Sequence, residues 1–94
     1  LIVTIDKDLG SMSYIDFGIF LQSLMLSATS RGLSTCAQGA WNQFWSATRR
    51  VLEVPDDEYI VCGVSLGYED TSAPVNTLVS EREPVSSFTT WHES

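Results

Sequence analysis

The stretch Glu58 to Leu66, with the sequence EYIVCGVSL, is the most strongly patterned part of this 94-residue chain. The turn Val54 to Asp57 (VPDD) precedes it, and Pro55 disfavours helix in the residue before it. A continuous apolar run of this length predicts a strand that is buried on both faces. The sequence on either side of this strand supplies the other elements.

A long helix is predicted from Ser13 to Ala28, with Gly32 placed to end it in a left-handed conformation. Ser13 and Asp16 resemble a capping box, with Asp in place of Glu or Gln. Apolar residues lie nearly all round this helix, both on the main stripe (Tyr14, Phe17, Leu21, Leu24, Met25, Ala28) and outside it (Ile15, Ile19, Phe20, Leu26). Such a helix is buried on most sides. We therefore infer that it packs against another chain or a missing half of this one.

The other predicted segments are strands, a helix and a loop. Strands are expected at Leu1 to Asp6 (LIVTID), Leu33 to Gln38 (LSTCAQ) and, at the end of the chain, Phe88 to His92. A second helix is expected from Gly39 to about Leu52, and Tyr68 to Asn76 is a polar loop. This order indicates an α/β or α+β protein with a single domain.

Charge and apolar runs exclude two function classes. The net charge is −7 with only five basic residues, so the chain would repel nucleic acid and anionic lipid. No run of about 18 apolar residues is present, so no membrane span is expected.

The cysteines bear on the compartment. Cys36 and Cys62 have neither metal-ligand spacing nor a secretory signal ahead of them, so we expect two reduced core thiols and a cytoplasmic protein. The chain begins at Leu1 without Met, which suggests that an upstream part is absent.

One motif suggests a hydrolase. Gly63 to Gly67 (GVSLG) matches the G-x-S-x-G nucleophile elbow, and Asp70 and His92 follow in hydrolase order. The elbow requires a helix directly after the serine, whereas Ser65 is followed by a loop pattern, so we reject this interpretation. No metal site is expected at His92, which has no second ligand at metal spacing.

Arg82 is the most informative basic residue on this acidic chain. Two interpretations are open. Its acidic neighbours Glu81 and Glu83 could hold it in a surface ion pair. Alternatively, its planar guanidinium could bind a buried anion such as a phosphate.

Several segments, taken in order, resemble the nitroreductase family of flavoproteins. They cover nearly the whole chain, and the ordered set is more specific than any single piece. The matching segments are Asp16 to Leu26 (DFGIFLQSLML), Arg31 to Gln38 (RGLSTCAQ), Pro55 to Glu58 (PDDE), Val61 to Tyr68 (VCGVSLGY), Ala73 to Asn76 (APVN), and Arg82 to Pro84 with Phe88, Trp91 and His92.

The resemblance implies an α+β, nitroreductase-like three-layer fold, in which a sheet is flanked by helices and a C-terminal arm extends from it. Residues 1–94 would be a single partial domain, the C-terminal half. The family works as an intertwined homodimer, here through the helix Ser13 to Arg31 and the arm. FMN lies at the subunit interface and passes hydride from NAD(P)H to a nitroaromatic, quinone or similar acceptor.

The resemblance also implies binding residues. Ala37, Gln38 and Gly39 match the segment whose backbone lies against the reactive edge of the flavin, and Gly39 suits close approach. Arg82 matches the basic residue that pairs with the FMN phosphate, although a second basic residue found in some members is Ser80 here. The family's N-terminal Arg/Ser-rich motif has no counterpart. No catalytic side chain is expected.

Three hypotheses follow. In the first, the chain is a fragment of a flavin oxidoreductase and alone binds FMN poorly without turnover. In the second, it is a non-catalytic half-module that acts in oligomerisation or interaction. In the third, it is a small α/β protein unrelated to flavin. The electron acceptor and the choice between NADH and NADPH stay open.

Overall fold

The structure, a computed structural model, describes residues 1–92 and contains a three-stranded sheet with helices on its connections. The elements follow one another in an alternating order along the chain: β1 (Ile2–Asp6), α1 (Ser13–Thr29), β2 (Ser34–Gln38), a 3-10 turn (Gly39–Asn42), α2 (Trp45–Leu52), β3 (Glu58–Gly67), a second 3-10 turn (Pro74–Thr77) and the one-turn α3 (Val85–Phe88).

The last strand in sequence, β3, is central in the sheet, and β1 and β2 pair with it in antiparallel orientation. The two neighbours use different halves of β3, because β1 pairs with residues 58–63 and β2 with residues 63–67. Ile60, Cys62 and Val64 are buried, and Val64 is only 1% exposed. The predicted strand is therefore confirmed, but its predicted burial on both faces is wrong, because Tyr59 is 52% exposed and Ser65 is also exposed on the opposite face.

Helix α1 begins at Ser13, as predicted, but the expected capping box is wrong. Met12 occupies the cap position in a helical conformation, and no side chain caps the helix. The preceding turn already takes up the first amides, since the N–H of Ser13 donates to the Gly10 carbonyl at 3.0 Å. At the other end Gly32 has φ +72°, so the predicted left-handed terminator is confirmed.

The two-sided apolar character of α1 is visible in its exposure. Ala28 is its only buried residue. Ile15, Ile19 and Leu26 are 57%, 62% and 60% exposed. The described part of the chain therefore leaves most of this helix uncovered.

The predicted continuous helix from Gly39 to Leu52 is wrong, because it is interrupted. After the 3-10 turn, Phe44 has φ −107° and ψ 22°, and α2 starts only at Trp45. Helix α2 ends at Leu52, and the next residue, Glu53, adopts a left-handed conformation with φ 53°. The Arg49 guanidinium, 15% exposed, ties the following turn to β3 by donating to the carbonyls of Val54 and Glu58.

The C-terminal arm runs from Tyr68 to His92 and is almost entirely exposed. All its residues are exposed except Ala73 and Thr89, which are partly covered. The predicted terminal strand from Phe88 to His92 is wrong, because Phe88 ends the helical turn α3 and residues 89–92 have no regular structure. Thr89 is extended, with φ −120° and ψ 132°, but no strand within residues 1–92 pairs with it.

A local hydrogen-bond network shapes the start of the arm. The Asp70 carboxylate accepts from the hydroxyl of Ser72 at 2.6 Å and from its N–H at 2.9 Å. These bonds, the hydroxyl first, lower the pKa of Asp70 below its ordinary value. The Asp70 carbonyl also accepts from the side-chain amide of Asn76 at 2.8 Å, which closes the loop onto the second 3-10 turn.

The surface is large for a chain of this size. The accessible area is 7778 Å², whereas a compact monomer of 10.4 kDa exposes about 5,400 Å². The radius of gyration is 17.0 Å, against about 12 Å for a compact domain of this length. Much of the excess is apolar, on α1 and the arm. None of the helices within residues 1–92 is both long and apolar enough to cross a bilayer.

The two cysteines differ in environment, so the expectation of two core thiols is wrong for Cys36, which is exposed on the edge strand β2. Cys62 is buried in β3, and this burial raises the pKa of its thiol.

We predict that a disulfide reagent at pH 8 modifies Cys36 at once and Cys62 only after denaturant is added, because the thiolate is the attacking species. Counting the released chromophore checks this. Immediate release of two equivalents would contradict the burial of Cys62.

Candidate functional site

The backbone of Val64 determines which groups of β2 are free. The Val64 N–H donates to the Leu1 carbonyl at 2.9 Å, and the Val64 carbonyl accepts from the Leu1 amino group at 2.8 Å. Both groups therefore face away from β2. In an antiparallel ladder, hydrogen-bonded and non-hydrogen-bonded pairs alternate. The pair Ala37–Val64 is thus non-hydrogen-bonded, and the Ala37 N–H and carbonyl point to the open edge of the sheet.

Gln38 and Gly39 continue this edge. Gln38 pairs with Gly63 at the end of the ladder, so its backbone groups face β3. Gly39 opens the 3-10 turn, where an N–H has no acceptor within the turn, and it donates to no other backbone group among residues 1–92. A Cβ built on Gly39 would meet no atom within 4 Å. Ala37 and Gly39 therefore offer backbone donors beside open space.

Trp41 supports this edge from the 3-10 turn. Its indole N–H donates to the side-chain carbonyl of Gln38 at 3.0 Å, and its ring lies against Gly63. A Cβ on Gly63 would overlap the indole, with the ring carbon Cγ at 2.9 Å. This contact was not predicted, because Trp41 falls within the helix that was expected from Gly39 to about Leu52. The available signal was a glycine inside a strand pattern, which marks close approach of another group.

Arg82 lies on the exposed arm and forms local hydrogen bonds only. Its Nη1 donates to the carbonyls of Ser80 and Glu81 at 3.3 and 3.1 Å and to the Ser80 hydroxyl. The open alternative of an ion pair with its acidic neighbours is not formed, because the one ion pair within residues 1–92 joins Arg49 to Asp56 at 3.4 Å. The rest of the Arg82 guanidinium fork is free to bind an anion.

The predicted site residues fall into two groups. Ala37, Gln38 and Gly39 lie together at the end of β2, whereas Arg82 lies on the arm. No hydrogen bond or ion pair within residues 1–92 joins the two groups. The G-x-S-x-G motif belongs to neither, because it lies inside β3 and no helix follows Ser65. The rejection of a nucleophile elbow is therefore confirmed.

Comparison with known proteins identifies the class. Residues 5–68 match the model of the nitroreductase family. The chain is 51% identical over 89 residues to a 4-nitrobenzoate reductase of Pseudomonas putida, covering 95% of this chain and 39% of that protein. It is 45% identical over 94 residues to a chloronitrobenzene nitroreductase of Comamonas testosteroni, covering 99% of this chain and 41% of that protein.

A solved structure extends the likeness to three dimensions. The FMN- and NADPH-dependent nitroreductase NfnB of Sphigopyxis sp. strain HMH superposes with a TM-score of 0.93 at 28% identity, over 99% of this chain and 42% of that one. The expected α+β, nitroreductase-like fold is thereby confirmed. The chain belongs to the nitroreductase family. It spans about two fifths of the length of these relatives.

We predict that Gly63→Ala disturbs the support of this edge. The added methyl group would overlap the Trp41 ring and force it off Gly63, at a cost of about 1–3 kcal/mol in the free energy of unfolding. Gly67→Ala is the matched control, because a Cβ at that end of the same strand meets nothing within 4 Å. Denaturant unfolding followed by tryptophan fluorescence measures both. Equal stability of the two variants would remove the packing role of Gly63.

Proposed function

We propose that this chain is the C-terminal part of an FMN-dependent oxidoreductase that reduces a nitroaromatic, quinone or similar acceptor with NAD(P)H. The observation that carries the proposal is the similarity of nearly the whole chain to proteins named as reductases of 4-nitrobenzoate and chloronitrobenzene. The FMN and NADPH dependence of the structural neighbour supports the choice of cofactor. When bound, the flavin would supply the hydride-transfer chemistry.

The open edge at the end of β2 fits the rim of a flavin ring. Such a ring is flat and carries carbonyl and nitrogen acceptors, so it needs backbone donors and a surface without projecting side chains. Ala37 presents its N–H at the edge, and Gly39 presents an N–H without a side chain. Ala37 and Gly39, which flank Gln38 in the chain, would hold and orient the ring by donating their N–H groups to its acceptors.

Arg82 fits the phosphate end of FMN. Its Nη1 is held by Ser80 and Glu81, which leaves Nε and Nη2 to donate. Ser80, at the position where some relatives carry a basic residue, accepts from Arg82 and helps to orient it. On this account a single residue of this part of the protein binds the phosphate.

The uncovered surfaces support a larger assembly. The chain exposes about 2,400 Å² more accessible area than a compact chain of the same mass. Obligate interfaces bury areas of this size. On this basis, residues 1–94 form a partial domain within a longer protein. That protein would assemble as a homodimer through the helix from Ser13 to Arg31 and the C-terminal arm. The two free thiols fit a reducing compartment, and we place the protein in the cytoplasm.

The exposed apolar surface of α1 and the arm also favours a second candidate, an oligomerising half-module without flavin chemistry. Flavin binding separates the two. The longer protein should retain stoichiometric FMN and oxidise NAD(P)H only when a nitroaromatic or quinone is supplied. Oligomers that neither bind FMN nor oxidise NAD(P)H would instead establish the half-module.

We predict that Arg82→Ala in the longer protein weakens FMN binding by about 10- to 100-fold, as measured by titration with FMN. This is the value of one charge-assisted hydrogen-bond contact. Riboflavin, which lacks the phosphate, should bind the variant and the wild type equally. Arg50→Ala, on the exposed side of α2, is the control. Arg49 is unsuitable, because it holds the turn before β3. Equal FMN affinity of the Arg82 and Arg50 variants would remove the phosphate role.

A further inference from the structure

We propose that Trp41 is a positioning residue that turns the side-chain amide of Gln38 so that its N–H₂ donates to an acceptor on the bound flavin. This inference rests on the proposed function, and it assigns a new role to two side chains where the family resemblance concerned only the backbone. Its basis is the contact between the Trp41 indole and the Gln38 side-chain carbonyl at 3.0 Å.

The chemistry of the two groups determines the orientation of the amide. An indole nitrogen carries one N–H and can only donate, whereas a carboxamide has an acceptor end and a donor end. Trp41 can therefore bind only the oxygen of Gln38. The two N–H donors of Gln38 must point elsewhere, and no acceptor within residues 1–92 takes them.

The Trp41 ring is itself fixed. It lies against Gly63, the one glycine within residues 1–92 at which an added Cβ would meet another atom within 4 Å. Gly63 is the strand partner of Gln38. The Trp41 ring therefore contacts both residues of this pair, Gly63 by packing and Gln38 by its hydrogen bond. Trp41 is 39% exposed, which leaves part of the ring accessible.

The surroundings indicate what the free amide binds. Gln38, Ala40, Trp41 and Phe44 line an open, mostly apolar hollow of about 400 Å³. Among these four residues only Gln38 carries an amide, and the indole N–H of Trp41 already donates to it. A flat ring with a carbonyl at its rim matches this arrangement, since the ring would cover the apolar surface and its oxygen would accept from the amide.

The test is a double-mutant cycle in the flavin-free longer protein, read by FMN fluorescence quenching and by the absorption spectrum of bound FMN. Trp41→Phe keeps a ring over Gly63 but removes the N–H. Gln38→Met keeps the length of the side chain but removes the amide. We expect each to weaken FMN binding about 3- to 10-fold and to shift the flavin bands. The double variant should be no weaker than Gln38→Met alone, because Trp41 acts through Gln38.

Trp45→Phe is the matched control, as Trp45 is 55% exposed and makes no side-chain bond to Gln38. Independent, additive losses in the double variant would overturn the positioning role, as would equal affinity of the Trp41 and Trp45 variants. If the wild-type protein binds no FMN, the proposed function fails and this role fails with it. The two failures are distinguished by that single wild-type titration.

Discussion

The hydrogen bonds between Leu1 and Val64 determine the arrangement of the site. They commit both backbone groups of Val64 to the β1 side of the sheet. Hydrogen-bonded and non-hydrogen-bonded pairs alternate along an antiparallel ladder. The bonds to Leu1 therefore also determine which residue pairs between β3 and β2 are hydrogen-bonded. The Ala37 N–H then points to the open edge, while Gln38 is held against Gly63. A shift of one residue in either ladder would exchange these roles.

The same strand connects the interior to the candidate site. Ile60, Cys62 and Val64 are buried, and Gly63 between them provides the gap in which the Trp41 ring lies. The glycine therefore has a packing role on a strand where a side chain would otherwise be favoured. Through Trp41 this gap also determines the orientation of the Gln38 amide. Core packing and site geometry thus depend on the same few residues of β3.

The remainder of the chain is stabilised by few internal contacts. Only Ala28 is buried on α1, and the arm after Gly67 is exposed almost throughout. Apolar area left in water costs about 25 cal/mol per Å² relative to burial, so surfaces of this size favour association. The proposed dimer and the longer protein would supply that cover.

Sequence patterns predicted the elements whose signals are local. The apolar run of β3, the period of α1 and the left-handed position of Gly32 each follow from neighbouring residues. The interruption at Phe44 was missed, because apolar residues at helical spacing continue across it. The Trp41 contact was missed because it depends on a strand 22 positions further along the chain. Local patterns do not contain such long-range contacts. The hydrogen-bonded pairs of β2 could not be predicted for the same reason, because they depend on the bonds between Leu1 and Val64.

Amide hydrogen exchange at Ala37 and Gln38 tests whether the pairing of β2 with β3 leaves the Ala37 N–H at the open edge, where a flavin could bind. In the flavin-free protein, we expect the Gln38 amide to be protected by its bond to Gly63 and the Ala37 amide to exchange rapidly. Addition of FMN should then slow exchange at Ala37 while leaving Gln38 nearly unchanged. Protection of Ala37 before FMN is added would contradict this pairing, and rapid exchange at Ala37 after FMN binds would contradict its contact with the flavin.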